Sequence, residues 1–193
     1  MARRIVVIQG HPDGSSPHLL HALADAYAQG AVRAGHEVAR IEVARLDIPY
    51  LRTQQEFESG EVLPALREAA EAMRGADHLA IFFPLWLGTM PAVLKAFLEQ
   101  TFKPGVAFAY GQGFPTKLFT GKSARVVVTM GMPAFAYRWI FWAHGLRGLE
   151  RSILKFVGVS PVRDTLLGNV AGASEATRKR WIAKMRELGA RAS

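Results

Sequence analysis

The chain has 193 residues, half of them apolar and none of them cysteine; that length suits one hydrophobic core, the composition excludes intrinsic disorder, and disulfide and thiolate chemistry are excluded. Lys and Arg outnumber Asp and Glu by 24 to 16, giving a net charge of +8. Much of the excess (Arg178, Lys179, Arg180, Lys184, Arg186, Arg191) falls in one C-terminal stretch that reads as the solvated face of an amphipathic helix, with no nucleic-acid motif beside it.

Strand and helix patterns alternate along the chain. Arg4 to Ile8 is a β-branched run, too short for the apolar core of a signal peptide. Leu19, Leu20, Leu23, Ala24, Tyr27 and Ala31 then recur at helical spacing. Ser16 ahead of Pro17 predicts an N-cap with proline in the first turn, and Gly35 predicts the stop. Glu37 to Val43 alternates as a half-buried strand does, and Leu46 to Gly60 reads as a loop. Val62, Leu66, Ala69, Ala70 and Met73 mark a second helix ending at Gly75. His78 to Phe83 is a continuous apolar run, the pattern of a central parallel strand covered on both faces.

The longest uncharged stretch, Leu79 to Leu94, is interrupted by Pro84, Gly88 and Pro91, whereas a membrane span needs about 20 apolar residues. Pro91 starts a third helix with Val93, Leu94, Phe97 and Leu98 on its apolar side. Phe102 to Lys122, rich in Gly, Pro and aromatics, reads as a long loop, and Ala124 to Thr129 as a fourth strand. Ala143 to Val157 places Leu146, Leu149, Ile153 and Phe156 on one helical face; Val162 to Leu167 is a fifth strand. Ser174 caps a last helix burying Trp181, Met185 and Leu188. This alternation predicts one α/β domain over residues 1–193 with a parallel sheet. The expected protein is cytoplasmic, neither membrane-inserted nor bound to nucleic acid, and without a metal site.

In an open α/β sheet ligands bind outside the carboxyl ends of the strands, where the strand order reverses. That rule selects the segments after the first, third and fourth strands. The first, Gly10 to His18, offers Ser15, Ser16, His11, His18 and the free N–H groups of a helix start, which favour an anion such as phosphate; a capped helix with surface histidines fits the same residues. It lacks both the P-loop and the dinucleotide fingerprint. The second, Phe83 to Pro91, presents Pro84, Leu85, Trp86, Leu87 and Gly88, either a flat apolar wall for a planar ligand or a core tryptophan. The third, Thr129-Met130-Gly131-Met132, allows close backbone approach at Gly131, and the aromatics that follow suit a pocket, a core or a subunit interface. Together the three describe a phosphate cradle, an aromatic wall and a second backbone edge, the set a flavin mononucleotide needs.

At these residues the sequence resembles the NAD(P)H:quinone oxidoreductases of the flavodoxin-like superfamily, DT-diaphorase and its smaller bacterial relatives. The likeness runs nearly end to end. It is carried by His11 with Ser15-Ser16, by Pro84-Leu85-Trp86 followed by Pro91-Ala92-Val93-Leu94-Lys95, by Thr129-x-Gly131, and by Ile153-Leu154-x-Phe156-x-Gly158. The resemblance implies a flavodoxin-like three-layer sandwich, strand order 2-1-3-4-5, with helices on both faces. It implies FMN, or alternatively FAD, with NAD(P)H as electron donor and a quinone or related aromatic acceptor reduced by two electrons in ping-pong order. His11 and the backbone of Ser15, Ser16, Pro17 and His18 would hold the phosphate, Pro84 to Gly88 the ring, and Thr129 to Met132 its pyrimidine side. Tyr137 and His144 would stabilise charge on the reduced ring, and the active site would lie at a homodimer interface. A flavodoxin-type electron carrier and an ancillary subunit of a potassium-efflux system share this fold and are the alternatives. The chain departs from the family pattern in Met130 and Met132, where many relatives have Thr and Gly, in Pro17 and His18, and in a Tyr137–His144 spacing one residue longer than usual.

Overall fold

A computed structural model describes residues 1–193. The strands are β1 (Arg4–Gln9), β2 (Glu37–Glu42), β3 (His78–Pro84), β4 (Phe108–Ala109), β5 (Thr116–Lys117), β6 (Ser123–Thr129) and β7 (Val162–Leu167). The helices are α1 (Leu19–Arg33), α2 (Gln54–Glu58), α3 (Arg67–Gly75), α4 (Ala92–Thr101), α5 (His144–Arg147), α6 (Lys155–Val157) and α7 (Glu175–Ala190). Five strands form a parallel sheet in the order β2-β1-β3-β6-β7, while β4 and β5 pair as a separate antiparallel hairpin. Counted among themselves, the sheet strands have the expected order 2-1-3-4-5.

Period-two alternation splits the core in two. Ile5, Val7, Ala80, Phe82 and Val127 pack with α1 and α7. Val6, Ile8, Leu79, Ile81, Phe83, Val126 and Val128 pack with α3, α4 and the α5–α6 segment. The sheet is thereby covered on both faces, which is why β1, β3 and β6 read as unbroken apolar runs. Chain direction across the sheet reverses at β1, so the crevice between the carboxyl ends of β1 and β3 is the topological switch point. On the first face, α1 and α7 cross at two glycines: a Cβ on Gly30 would lie 2.0 Å from Arg186 O, and one on Gly189 2.0 Å from Tyr27 O. The six basic side chains of the last stretch are exposed, with Met185 buried and Trp181 and Leu188 half-buried, as the amphipathic reading requires.

Four expectations change. α1 starts at Leu19 with His18 at the N-cap position and no side-chain cap, so Ser16 and Pro17 stay outside the helix. The loop's own hydrogen bonds to Asp13, described below, hold Ser15 in a separate turn. The segment read as a loop before Gly60 contains α2, where the Thr53 hydroxyl accepts from Glu56 N–H (3.1 Å) and the Glu56 carboxylate accepts from Arg52 N–H (3.0 Å). The Phe102–Lys122 segment contains the β4–β5 hairpin. Between α5 and α6, residues Gly148–Leu154 form wider turns with bonds five residues apart. That widening advances the buried face by one position: Leu154 and Val157 are buried, while Ile153 is half-buried and Phe156 exposed.

Candidate active site

The loop leaving β1 is built around a carboxylate. Asp13 Oδ1 accepts from Ser15 N–H at 2.8 Å and from the Ser15 hydroxyl at 2.6 Å, and Oδ2 accepts from His18 Nε2 at 2.8 Å. These bonds, from Ser15 foremost and then His18, hold the Asp13 carboxyl well below the usual carboxylate range. His11 is buried, and its Nδ1 faces the Asp13 backbone, 3.0 Å from the Asp13 N–H and 3.2 Å from the Asp13 carbonyl oxygen. The His18 ring stacks on His11 with centroids 3.9 Å apart, and His21 stands edge-on to both at 5.2 Å. Burial first, then the neighbouring imidazoles, push His11 and His21 below the ordinary histidine range, so both are neutral at pH 7. His21 Nε2 is buried and finds no hydrogen-bond partner in the chain.

The loop leaving β3 turns back sharply. Trp86 and Thr89 exchange backbone hydrogen bonds at 2.9 and 3.0 Å around Leu87 and Gly88. Both corner residues have positive φ, 47° and 81°, the signature of a type I′ turn. Leu87 is a non-glycine residue in the left-handed region, at a cost of about 1 kcal/mol. Trp86 is half exposed and Leu87 fully exposed, and the Trp86 ring meets His11 edge-on at 6.3 Å. The first and second loops therefore touch.

The third loop is tied to the second through the sheet. Leu85 N–H donates to Thr129 O at 2.8 Å. Thr129 and Met130 are buried, Met132 is half-buried and Gly131 is exposed with open space where a side chain would project. Met130 N–H donates to Leu167 O (2.9 Å), and Met132 O accepts from Asn169 N–H (3.1 Å), fixing the loop against the exit of β7.

Tyr137 is buried, and its hydroxyl is fully engaged: it donates to Gly88 O at 3.1 Å and accepts from Leu146 N–H at 3.1 Å. His144 opens α5 and is exposed. Its neighbour Gly145 lies against the second loop so closely that a Cβ would fall 2.2 Å from Gly88 O and 2.6 Å from Thr89 Cα. The structure thus brings His11, Ser15, His18, Trp86, Gly88, Thr129 and Tyr137 into one continuous set of contacts. Ser16 and Pro17 are exposed beside it. Asp13, His21 and Gly145 were missed as site residues. Asp13-x-Ser15 carries the signature of a side-chain turn, and His21, in the first turn of α1, follows the N-cap residue His18 by three positions; Gly145 leaves no local signal.

The donor set suits a phosphorylated ligand, because Ser15 N–H, the Ser15 hydroxyl and His18 Nε2 already converge on one anion, the protein's own carboxylate. Leu87 of the second loop, and Phe135, Trp139, Ile140, Phe141 and Trp142 in the segment after the third, are all more than half exposed. A separate apolar cavity of about 450 Å³, lined by Phe57, Leu98, Phe102, Phe108 and Ile153 among others, shares no residue with the three loops. No helix is long and apolar enough to cross a membrane.

Comparison with known proteins places the fold in a family. Residues 3–188 match the family described as flavodoxin-like fold. The chain is 21% identical over 173 residues to the uncharacterized NAD(P)H oxidoreductase YcaK of Escherichia coli (strain K12), covering 87% of this chain and 85% of that one. It is 27% identical over 184 residues to the FMN-dependent NADH:quinone oxidoreductase of Nitratidesulfovibrio vulgaris, covering 84% and 85%. The solved NAD(P)H:quinone oxidoreductase from Methanothermobacter marburgensis superposes with a TM-score of 0.82 at 24% identity, over 98% of this chain and 96% of that one.

Proposed function

The chain belongs to the flavodoxin-like fold family, and from that premise we propose that it is a flavin-dependent NAD(P)H oxidoreductase reducing quinones or related acceptors. The convergence of three strand-end loops, one with anion donors, one with a half-exposed tryptophan and one with an open backbone edge, carries the proposal. Relatives named for FMN-dependent NADH:quinone oxidoreduction support FMN as the cofactor.

FMN, when bound, supplies the two-electron chemistry that takes hydride from NAD(P)H and delivers it to the acceptor. The protein's part is position and electrostatics. His11, Ser15, Ser16, Pro17 and His18 would hold the phosphate at the start of α1, where free N–H groups and the helix dipole favour negative charge. Pro84 to Gly88 would form the ring wall, and Thr129 to Met132 would present backbone groups to its polar edge. Tyr137, with its hydroxyl engaged on both sides, acts through Gly88: it fixes the turn that carries the wall. His144, exposed at the start of α5, is the side chain free to meet charge at the mouth. Two substrates using one face in turn give ping-pong kinetics, and intersecting initial-rate plots would rule that order out. The exposed apolar rim from Phe135 to Trp142 suits burial in a homodimer.

The test is to purify the protein, record its visible spectrum, release and identify the flavin, and add NADPH without oxygen. Rapid bleaching is expected. A polypeptide that stays colourless after incubation with excess FMN and FAD would defeat the proposal.

A further inference from the structure

The phosphate role assigned to the first loop leaves one group without a purpose. A negative charge sits in the middle of the donors. Ser15 N–H, the Ser15 hydroxyl and His18 Nε2 all point at the Asp13 carboxylate, at 2.8, 2.6 and 2.8 Å. Each of these hydrogens serves one strong acceptor at a time. A phosphate using the same donors must displace the carboxylate, and a dianion arriving beside an ionised side chain is repelled by it.

We propose that Asp13 is a built-in competing anion, which occupies the phosphate donors in the flavin-free protein and weakens the hold on phosphorylated flavins. The proposal rests on the flavin reading above. The geometry permits the exchange. The Asp13 side chain is 38% exposed, so its carboxylate can swing into water without being buried elsewhere. The loop backbone does not depend on that carboxylate alone, because Asp13 N–H is separately held by His11 Nδ1 at 3.0 Å. The imidazoles of His11 and His21 beside the loop do little to offset the Asp13 charge, since burial holds both below the ordinary histidine range. The consequence is selective: the penalty falls on FMN and not on riboflavin, which lacks the phosphate.

The experiment titrates FMN and riboflavin into the flavin-free wild type, Asp13→Asn and Asp13→Glu at fixed ionic strength, with flavin fluorescence quenching as the readout. Asparagine keeps an oxygen for Ser15 N–H but removes the charge. FMN is expected to bind Asp13→Asn roughly five- to tenfold tighter, the scale of one charge removed from a solvent-exposed loop. Riboflavin affinity should stay the same, and Asp13→Glu should bind FMN no tighter than wild type. FMN binding that is unchanged or weaker in Asp13→Asn, with riboflavin unaffected, overturns the competing-anion role. A parallel gain for both flavins overturns it too, since the effect would not be aimed at phosphate. If neither flavin binds any of the three proteins, the flavin reading itself fails and this role with it.

Discussion

Replacing Gly145 with alanine should loosen the proposed ring wall from behind, by pushing on Gly88 while leaving every residue assigned to the flavin unsubstituted. The added Cβ would stand 2.2 Å from Gly88 O, 2.6 Å from Thr89 Cα and 2.9 Å from Thr89 Cβ. Two of those three atoms are backbone, so no side chain can rotate out of the way. Restoring ordinary van der Waals contact requires α5 and the Trp86–Thr89 turn to separate by about 1 Å, a displacement that overpacking studies price at roughly 1–3 kcal/mol. For a chain of this size each kcal/mol lowers Tm by about 2–4 °C, so a loss of about 2–12 °C is expected. The same shift stretches the Tyr137 bond to Gly88 O, which is already 3.1 Å long. A wall displaced by about 1 Å should weaken turnover on the order of 100-fold. The control is Gly148→Ala, also in the helical segment, where a Cβ meets nothing within 4 Å; exchanging glycine for alanine there should be neutral or stabilise by about 0.5–1 kcal/mol. Thermal unfolding and FMN titration on both variants decide the matter. A Gly145→Ala protein with wild-type Tm and wild-type flavin affinity would refute the close approach of α5 to the turn.

Three other perturbations have defined outcomes. Tyr137→Phe leaves Gly88 O and the Leu146 N–H without their partner, at a cost of about 1–3 kcal/mol; denaturant unfolding should show it, with flavin affinity falling alongside. Gly30→Ala forces the α1–α7 crossing apart against Arg186 backbone and should cost about 3 kcal/mol or more, so retention of wild-type Tm would show that the helices can slide. His78, bonded to Tyr27 (2.9 Å) and Ser123 (2.8 Å) and buried, is pushed down to about 3, mainly by burial. Its folded value lies below the unfolded one near 6.5, so between those two values the unfolded chain binds the extra proton. Stability from this group is complete above about pH 6.5 and is lost as pH falls, by up to about 1.4 kcal/mol per pH unit. His78→Gln should flatten that acid limb in a Tm-versus-pH series, and an unchanged slope would assign it to other groups.

Much of this architecture was legible in the chain itself. Val162–Leu167 and the Pro91 helix start emerged where the pattern put them, because a short run between turn residues, here an edge strand, and a proline-led helix leave local signals that tertiary packing does not override. The three loops were legible because strand ends in an α/β sheet are where ligands must go. What stayed hidden was set by contacts between distant segments. Phe156 was assigned to a buried face by a period of 3.6, and the wider turns of Gly148–Leu154 moved that face by one residue. Nothing in the sequence singles out Asp13 as a site residue, because its place is defined by the Ser15 and His18 donors that close on it in the folded loop. Gly145 matters for the side chain it lacks, which admits the Gly88 carbonyl from a distant segment.

The two glycines at the α1–α7 crossing, 30 and 189, are nearly a whole chain apart. During synthesis α1 emerges early with its glycine seam and the surrounding apolar surface facing water, and nothing made before α7 can fill that seam. Loop closure over such a span is entropically slow to complete. Until α7 (Glu175–Ala190) has been made, the part of α1 and of the sheet face which it covers stays open to water. In that interval the uncovered apolar surface is open to aggregation.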